Sequence, residues 1–164
     1  MKTILATILL VSCVTLPLLA EEAKQALIVE APATWKVEFK GGEGWQLYTV
    51  TQKDNGAFLQ FSQSPGGVGN VNQIPEQIEV MAKKFADIPK DKKGVKLNSK
   101  EYTIKEIAGD TFSGSFVQFE IEGGFTQTMF MIGDAEGIWN GQFRGTKEQW
   151  AEALALLNKL KKKG

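Results

Sequence analysis

Two acidic pairs, three serines and one glycine-rich run are the residues of this chain whose types and spacing could do chemistry. Glu120 and Glu122 stand two apart in a segment of strand character, hence on one face, and paired carboxylates can share general acid–base work. Phe119 and Ile121 point the other way, so the simpler role of the glutamates is to keep a solvent face wet. Asp134 and Glu136 flank a turn and could offer oxygens to calcium, but their spacing fits no EF-hand loop and that ion takes about six to eight oxygens. A solvated turn is the simpler reading, and Asp110 beside Gly109 reads as a turn residue as well. Ser62 and Ser64 precede glycines and Ser99 precedes Lys100, yet no S-x-x-K or G-x-S-x-G frame surrounds any of them. Pro65-Gly66-Gly67-Val68-Gly69-Asn70 precedes a helix, where loops can cradle phosphate through backbone N–H groups. The G-x-G-x-x-G frame fails at Asn72 and the P-loop lysine is missing, so the run reads as a loop of the kind that carries partner contacts.

What is missing narrows the chemistry further. The chain has no histidine, and its one cysteine, Cys13, falls in an N-terminal stretch that reads as an export signal. Lys2 supplies the positive end, Ile4 to Leu19 is apolar, Ala20 is a small residue at the cut, and Glu21-Glu22 begin the exported chain. A second reading stays open: Leu10-Val11-Ser12-Cys13 fits a lipobox, in which Cys13 would carry a lipid anchor at a membrane surface. The apolar residues after Cys13 favour soluble export to the periplasm or the extracellular space over a membrane-anchored lipoprotein. Without His or thiolate in the exported part, Ser-His-Asp and Cys-His constellations and ordinary zinc sites are excluded. No catalytic residue, metal ligand or cofactor is expected.

Cleavage after Ala20 leaves 144 of the 164 residues, one domain of ordinary size, with 1–20 as signal, 21–26 as a polar lead-in and 27–164 as the domain. Loss of Lys2 sets 18 basic residues against 19 acidic ones, a formal charge of −1, which gives no field to steer nucleic acid. No second long apolar run would cross a membrane.

Elements alternate in type. Leu27-Ile28-Val29 is a short strand before Pro32 and Trp35, and Gly41 to Gly44 is a flexible turn. Trp45 to Thr51 and Ala57 to Phe61 are strands joined at Asp54-Asn55-Gly56, a hairpin signal. Pro75 suits a helix first turn, and Ile74, Ile78, Met81, Phe85 and Ile88 form one apolar stripe ended by Pro89. Tyr102 to Ile107, Phe112 to Ile121, Thr126 to Ile132 and Ile138 to Phe143 are four strands with short turns, an antiparallel meander. Thr146 and Gln149 form a capping box for a last helix with Trp150, Ala153, Leu154, Leu157 and Leu160 on its apolar face. Lys159, Lys161, Lys162 and Lys163 would oppose the negative end of its dipole. The class is therefore α+β: an antiparallel sheet of about six or seven strands, with a mid-chain and a C-terminal helix packed on it.

An apolar strand followed by Pro and Trp (Ile28, Pro32, Trp35) resembles the opening of the PsbP-like fold group, and the hairpin, mid-chain helix, meander and final helix follow its order from about Leu27 to Leu160. The resemblance implies an accessory role in binding a protein, not enzymatic activity, and carries over no site residue. Of the four tryptophans, Trp150 and Trp139 read as core, whereas Trp35 and Trp45 lie near turns and could be partly exposed. Aromatics are enriched at interface hot spots, yet core or rim packing is the simpler reading for both. The expected function is that of an exported envelope accessory protein binding another envelope protein, with Trp35, Trp45, Gly66, Gly67, Gly69 and Asn70 as candidate contacts. Two alternatives remain: a carrier of a small apolar ligand held between sheet and helix, among the Phe and Met residues of 112–143, and more remotely a carboxylate or Ser-Lys hydrolase.

Overall fold

Two runs of strand sequence, one on each side of a helical stripe, meet in the middle of a single sheet. The computed structural model describes residues 24–54, 56–63, 70–89 and 94–164. Strands β2 (Trp35–Gly42), β3 (Trp45–Gln52) and β4 (Phe58–Gln63) form one meander, and β5 (Ile104–Ala108), β6 (Ser113–Ile121), β7 (Phe125–Gly133) and β8 (Ile138–Gly145) form the other. Antiparallel pairing of β4 with β8 joins them in the order β2-β3-β4-β8-β7-β6-β5. The α+β class, the antiparallel sheet and the two helices are as the sequence indicates.

Membership of the sheet differs from the expectation. The strand at Leu27–Ile28 (β1) does not join it; it pairs with β9 (Lys161–Lys162) in a separate two-stranded ladder. Its place is taken by Trp35–Gly42, where Trp-Lys-Val-Glu-Phe-Lys alternates with the period of a strand. Gly41 and Gly42 belong to that strand, so the turn shrinks to Glu43-Gly44, with Gly44 at φ +77°.

The helices lie on opposite faces. α1 (Ile74–Asp87) packs on β5, β6 and β7, burying Ile78, Ala82 and Ala86 against Val117, Phe119, Met129 and Met131. Small Ala82 and Ala86 hold its seam close to the sheet; Met81 and Phe85 are only half-buried, and Ile88, beyond the helix, is exposed. α2 (Lys147–Asn158) covers the other face, where Trp150 meets the rings of Phe116, Phe130 and Phe143. The capping box is formed as expected, and the Gln149 amide also donates to Gln52 Oε1. Leu156, rather than Leu154, is the buried leucine of the middle turn.

The helix stops at Asn158, so the lysine run is not its dipole partner. Lys161 and Lys162 are strand, and Lys162 Nζ reaches Asp134 Oδ2 at 2.5 Å and Glu136 Oε2 at 2.7 Å. The turn of Asp134 and Glu136 is thus a tie for the chain's last strand and not merely solvated. Asp134 Oδ1 also accepts from the N–H groups of Glu136 and Gly137. Burial works to raise the Asp134 carboxyl, but these bonds and Lys162 outweigh it and hold it below its ordinary value of 3.8. Hydrogen bonds to Asp134 and Glu136 raise Lys162 above 10.5. Asp134, lowered on folding, contributes stability above the ordinary carboxylate range that disappears as pH falls through its folded value; Lys162, raised, contributes below 10.5 and loses it at higher pH. Asp134→Ala is expected to cost about 2 kcal/mol at pH 7. In thermal melts its gap from wild type should narrow at pH 3.

Candidate functional site

The sheet has two edges, and the one at β2 is long and regular. Eight consecutive residues, from Trp35 paired with Gln52 to Gly42 paired with Trp45, run without a bulge. Which backbone groups face outward follows from two bonds. Gln52 N–H donates to Ala57 O across to β4, and Lys53 N–H donates to Thr34 O across to the β2 side. Successive residues of an antiparallel strand alternate in direction, so Lys36, Glu38 and Lys40 bond β3, while the N–H and C=O of Val37, Phe39 and Gly41 point away from it. Among the described residues these outward groups meet no partner.

Side chains on the edge divide by face. Lys36, Glu38 and Lys40 project to the α1 side, and Lys36 pairs with Glu38 at 2.7 Å. Hydrogen bonding with Glu38 raises Lys36, and the same contact lowers Glu38. Val37 and Phe39 project to the α2 side, Val37 being 38% exposed and Phe39 tilted on Tyr48 with ring centroids 5.1 Å apart. Trp45, 44% exposed, closes the β2–β3 hairpin. A Cβ at Gly42 would fall 2.7 Å from its Nε1, so glycine there lets the indole lie across the end of β2.

The expected contact residues fare unequally. Trp45 is exposed at the edge. Trp35 is corrected: it is 5% exposed, in the core beneath α2, with Nε1 donating to Glu152 Oε2 at 2.8 Å. Asn70 is exposed, but its Oδ1 caps the short turn Val71–Gln73 by accepting from Asn72 N–H. Gly66, Gly67 and Gly69 lie outside the described residues, as do Cys13 and the signal region. The carboxylates expected to face solvent together have separate partners: Glu120 binds Lys147 at 2.6 Å and Glu122 binds Lys96 at 2.8 Å. Ser99 Oγ accepts from Glu101 N–H, and Lys100 Nζ sits 3.4 Å from Asp87. Among the described residues no helix is long and apolar enough to cross a membrane.

A second surface was not singled out in the sequence. α1 covers only part of its face, and β2, β3, β4 and β8 are left beside it with half-buried or exposed side chains such as Thr49, Gln60 and Gln142. Their amides form a cross-strand ladder, Gln142 donating to Gln60 and Gln60 to Thr49. Where this ladder meets α1, a surface groove of about 260 Å³ is lined by Leu47, Met81, Met129, Asn140 and Gln142 among others. A second groove, about 450 Å³, lies on the flank of α1 and is lined by Met81, Met131, Glu76 and Val80 among others. The spacing of Met129 and Met131, two apart in a strand and hence on one face, was the legible signal.

Comparison of the chain with protein-family models, with curated proteins and with solved structures found no match in any of the three.

Proposed function

We propose that this chain is an exported, non-enzymatic accessory protein of the cell envelope that binds another protein, taking an extended segment of that partner along the free edge of β2. The unpaired outward row of Val37, Phe39 and Gly41 carries the reading, since such a row is a template for strand addition. The neighbouring side chains give the partner its chemistry. Val37 and Phe39 favour apolar residues on one face of the added strand, and Lys40 an acidic residue on the other. Trp45 adds an aromatic anchor at the end of the edge. Alternating charges at Lys36, Glu38 and Lys40 would discourage indiscriminate edge pairing. Export follows from the leader pattern, and the PsbP-like resemblance supports an accessory role.

Val37→Pro removes one outward N–H and no β2–β3 bond, because proline is tolerated on the open side of an edge strand. Capture of a protein from envelope extract by immobilised chain should fall at least about tenfold, the equivalent of about 1.4 kcal/mol, with far-UV circular dichroism unchanged. Glu38→Pro, which removes an inward bond, should instead destabilise the fold. Equal capture by folded Val37→Pro and wild type would refute strand addition at this edge.

A further inference from the structure

Rows of side chains cross the part of the α1 face that the helix leaves open. Leu47, Ser62 and Asn140 stand opposite one another on β3, β4 and β8; Thr49, Gln60 and Gln142 form the next row, and Thr51, Phe58 and Arg144 the one after. Their neighbours Val50, Leu59, Phe61 and Phe143 are buried with the α2-side core, so strand alternation places all of these rows on the open face. In the middle row Gln142 Nε2 donates to Gln60 Oε1, and Gln60 Nε2 to Thr49 Oγ1. Each amide nitrogen carries a second hydrogen besides the one used there. In the first row Asn140 Oδ1 is buried and accepts no hydrogen bond among the described residues. It lines the groove of about 260 Å³, with Ser62 beside it and Leu47, Met81 and Met129 as an apolar wall. Among the described residues no charged side chain lines this groove.

We propose that this groove holds the acetamido group of an N-acetylated hexosamine, in a β-linked glycan chain laid along β3, β4 and β8. A buried acceptor without a donor calls for an N–H, and the acetamido nitrogen supplies one to Asn140 Oδ1. The acetamido methyl matches the apolar wall of Leu47, Met81 and Met129. Ring hydroxyls donate and accept, as the amides of Gln60 and Gln142 do. Phe58, in the row beyond, belongs to neither buried cluster among the described residues. The negative face of its ring suits the C–H side of a pyranose. A β-linked glycan is a flat ribbon, the shape an uncovered sheet face accepts. An anion would find no cation in the groove, and a drug-sized apolar ligand asks for roughly 300–1,000 Å³ enclosing most of its surface. The outward backbone groups of β2 take no part, so this site is independent of strand addition at that edge.

Chitohexaose, a β-linked chain of N-acetylated rings, is the probe, and cellohexaose, the same chain with hydroxyls in place of the acetamido groups, is its control. Titrated into isotope-labelled protein, chitohexaose should shift the side-chain amide resonances of Asn140, Gln60 and Gln142 together and saturably. Cellohexaose should bind at least about tenfold more weakly, because it leaves the buried acceptor unpaired. Asn140→Leu removes that acceptor and with it an unpaired polar atom, so the fold should hold while chitohexaose binding weakens at least about tenfold. Gln142→Ala changes an exposed position and should keep the fold and weaken binding as well. The proposal is overturned if chitohexaose leaves the three amide resonances still, if cellohexaose binds as tightly, or if folded Asn140→Leu or Gln142→Ala binds chitohexaose as wild type does.

Discussion

Phe130→Ala is expected to lower the unfolding free energy by about 4 kcal/mol, a large share of the roughly 5–15 kcal/mol that holds a domain of this size. Phe130 is fully buried at the centre of the α2 face, on a strand covered on both sides. Its ring sits 6.1 Å from that of Trp150 and 6.4 Å from that of Phe61, and it joins the β3–β4 half of the core to α2. It also occupies the space above its cross-strand partner Gly141, where an added Cβ would lie 2.1 Å from Phe130 Cζ. Gly141→Ala alone should therefore destabilise by about 2 kcal/mol through overpacking. In the Phe130→Ala background the same methyl enters an emptied space and should be neutral or stabilising. Denaturant unfolding of the two single variants and the double variant measures this coupling, and strict additivity would contradict the packing described.

Gly114→Ala is the second large effect, expected at about 3 kcal/mol. A Cβ at Gly114 would lie 1.9 Å from Met131 O and 2.8 Å from Ile132 Cα, both main-chain atoms of β7. A flexible side chain could swing away, but backbone cannot, so β6 and β7 must part and lose ladder bonds worth about 1 kcal/mol each. A melting temperature within 2 °C of wild type, where about 3 kcal/mol corresponds to several times that shift, would contradict this.

Local signals in the sequence were sufficient for some elements and silent on others. The Thr146–Gln149 capping box involves atoms three residues apart, and it reads directly. The run Met129-Phe130-Met131-Ile132, apolar without alternation, is what a strand covered by a helix on each face requires. The alternation from Trp35 to Lys40 was equally present, but Pro32 before it and the glycines after it drew the reading toward a turn. Tertiary partners far along the chain decided the rest. Helical lysine spacing continues past Asn158, yet Lys161 and Lys162 pair with Leu27 and Ile28, more than 130 residues away. Trp35 stands beside a turn and is buried all the same, because Glu152 of α2 receives its indole N–H. Trp45, for which core or rim packing is the simpler reading of the sequence, is 44% exposed, beside a turn formed by its own neighbours. The spacing of Met129 and Met131 reads locally, but that Met81 of α1 lines the same grooves follows only from the packing of α1 on β7.

Amide hydrogen exchange along β2 tests most directly whether this edge is the binding surface. In the isolated protein the amides of Lys36, Glu38 and Lys40, bonded to β3, should exchange slowly, and those of Val37, Phe39 and Gly41 should exchange at nearly the rate of an open chain. In the complex recovered from envelope extract, the outward three should become protected as well. Outward amides already slow in the isolated protein, or still fast in the complex, would contradict strand addition at β2.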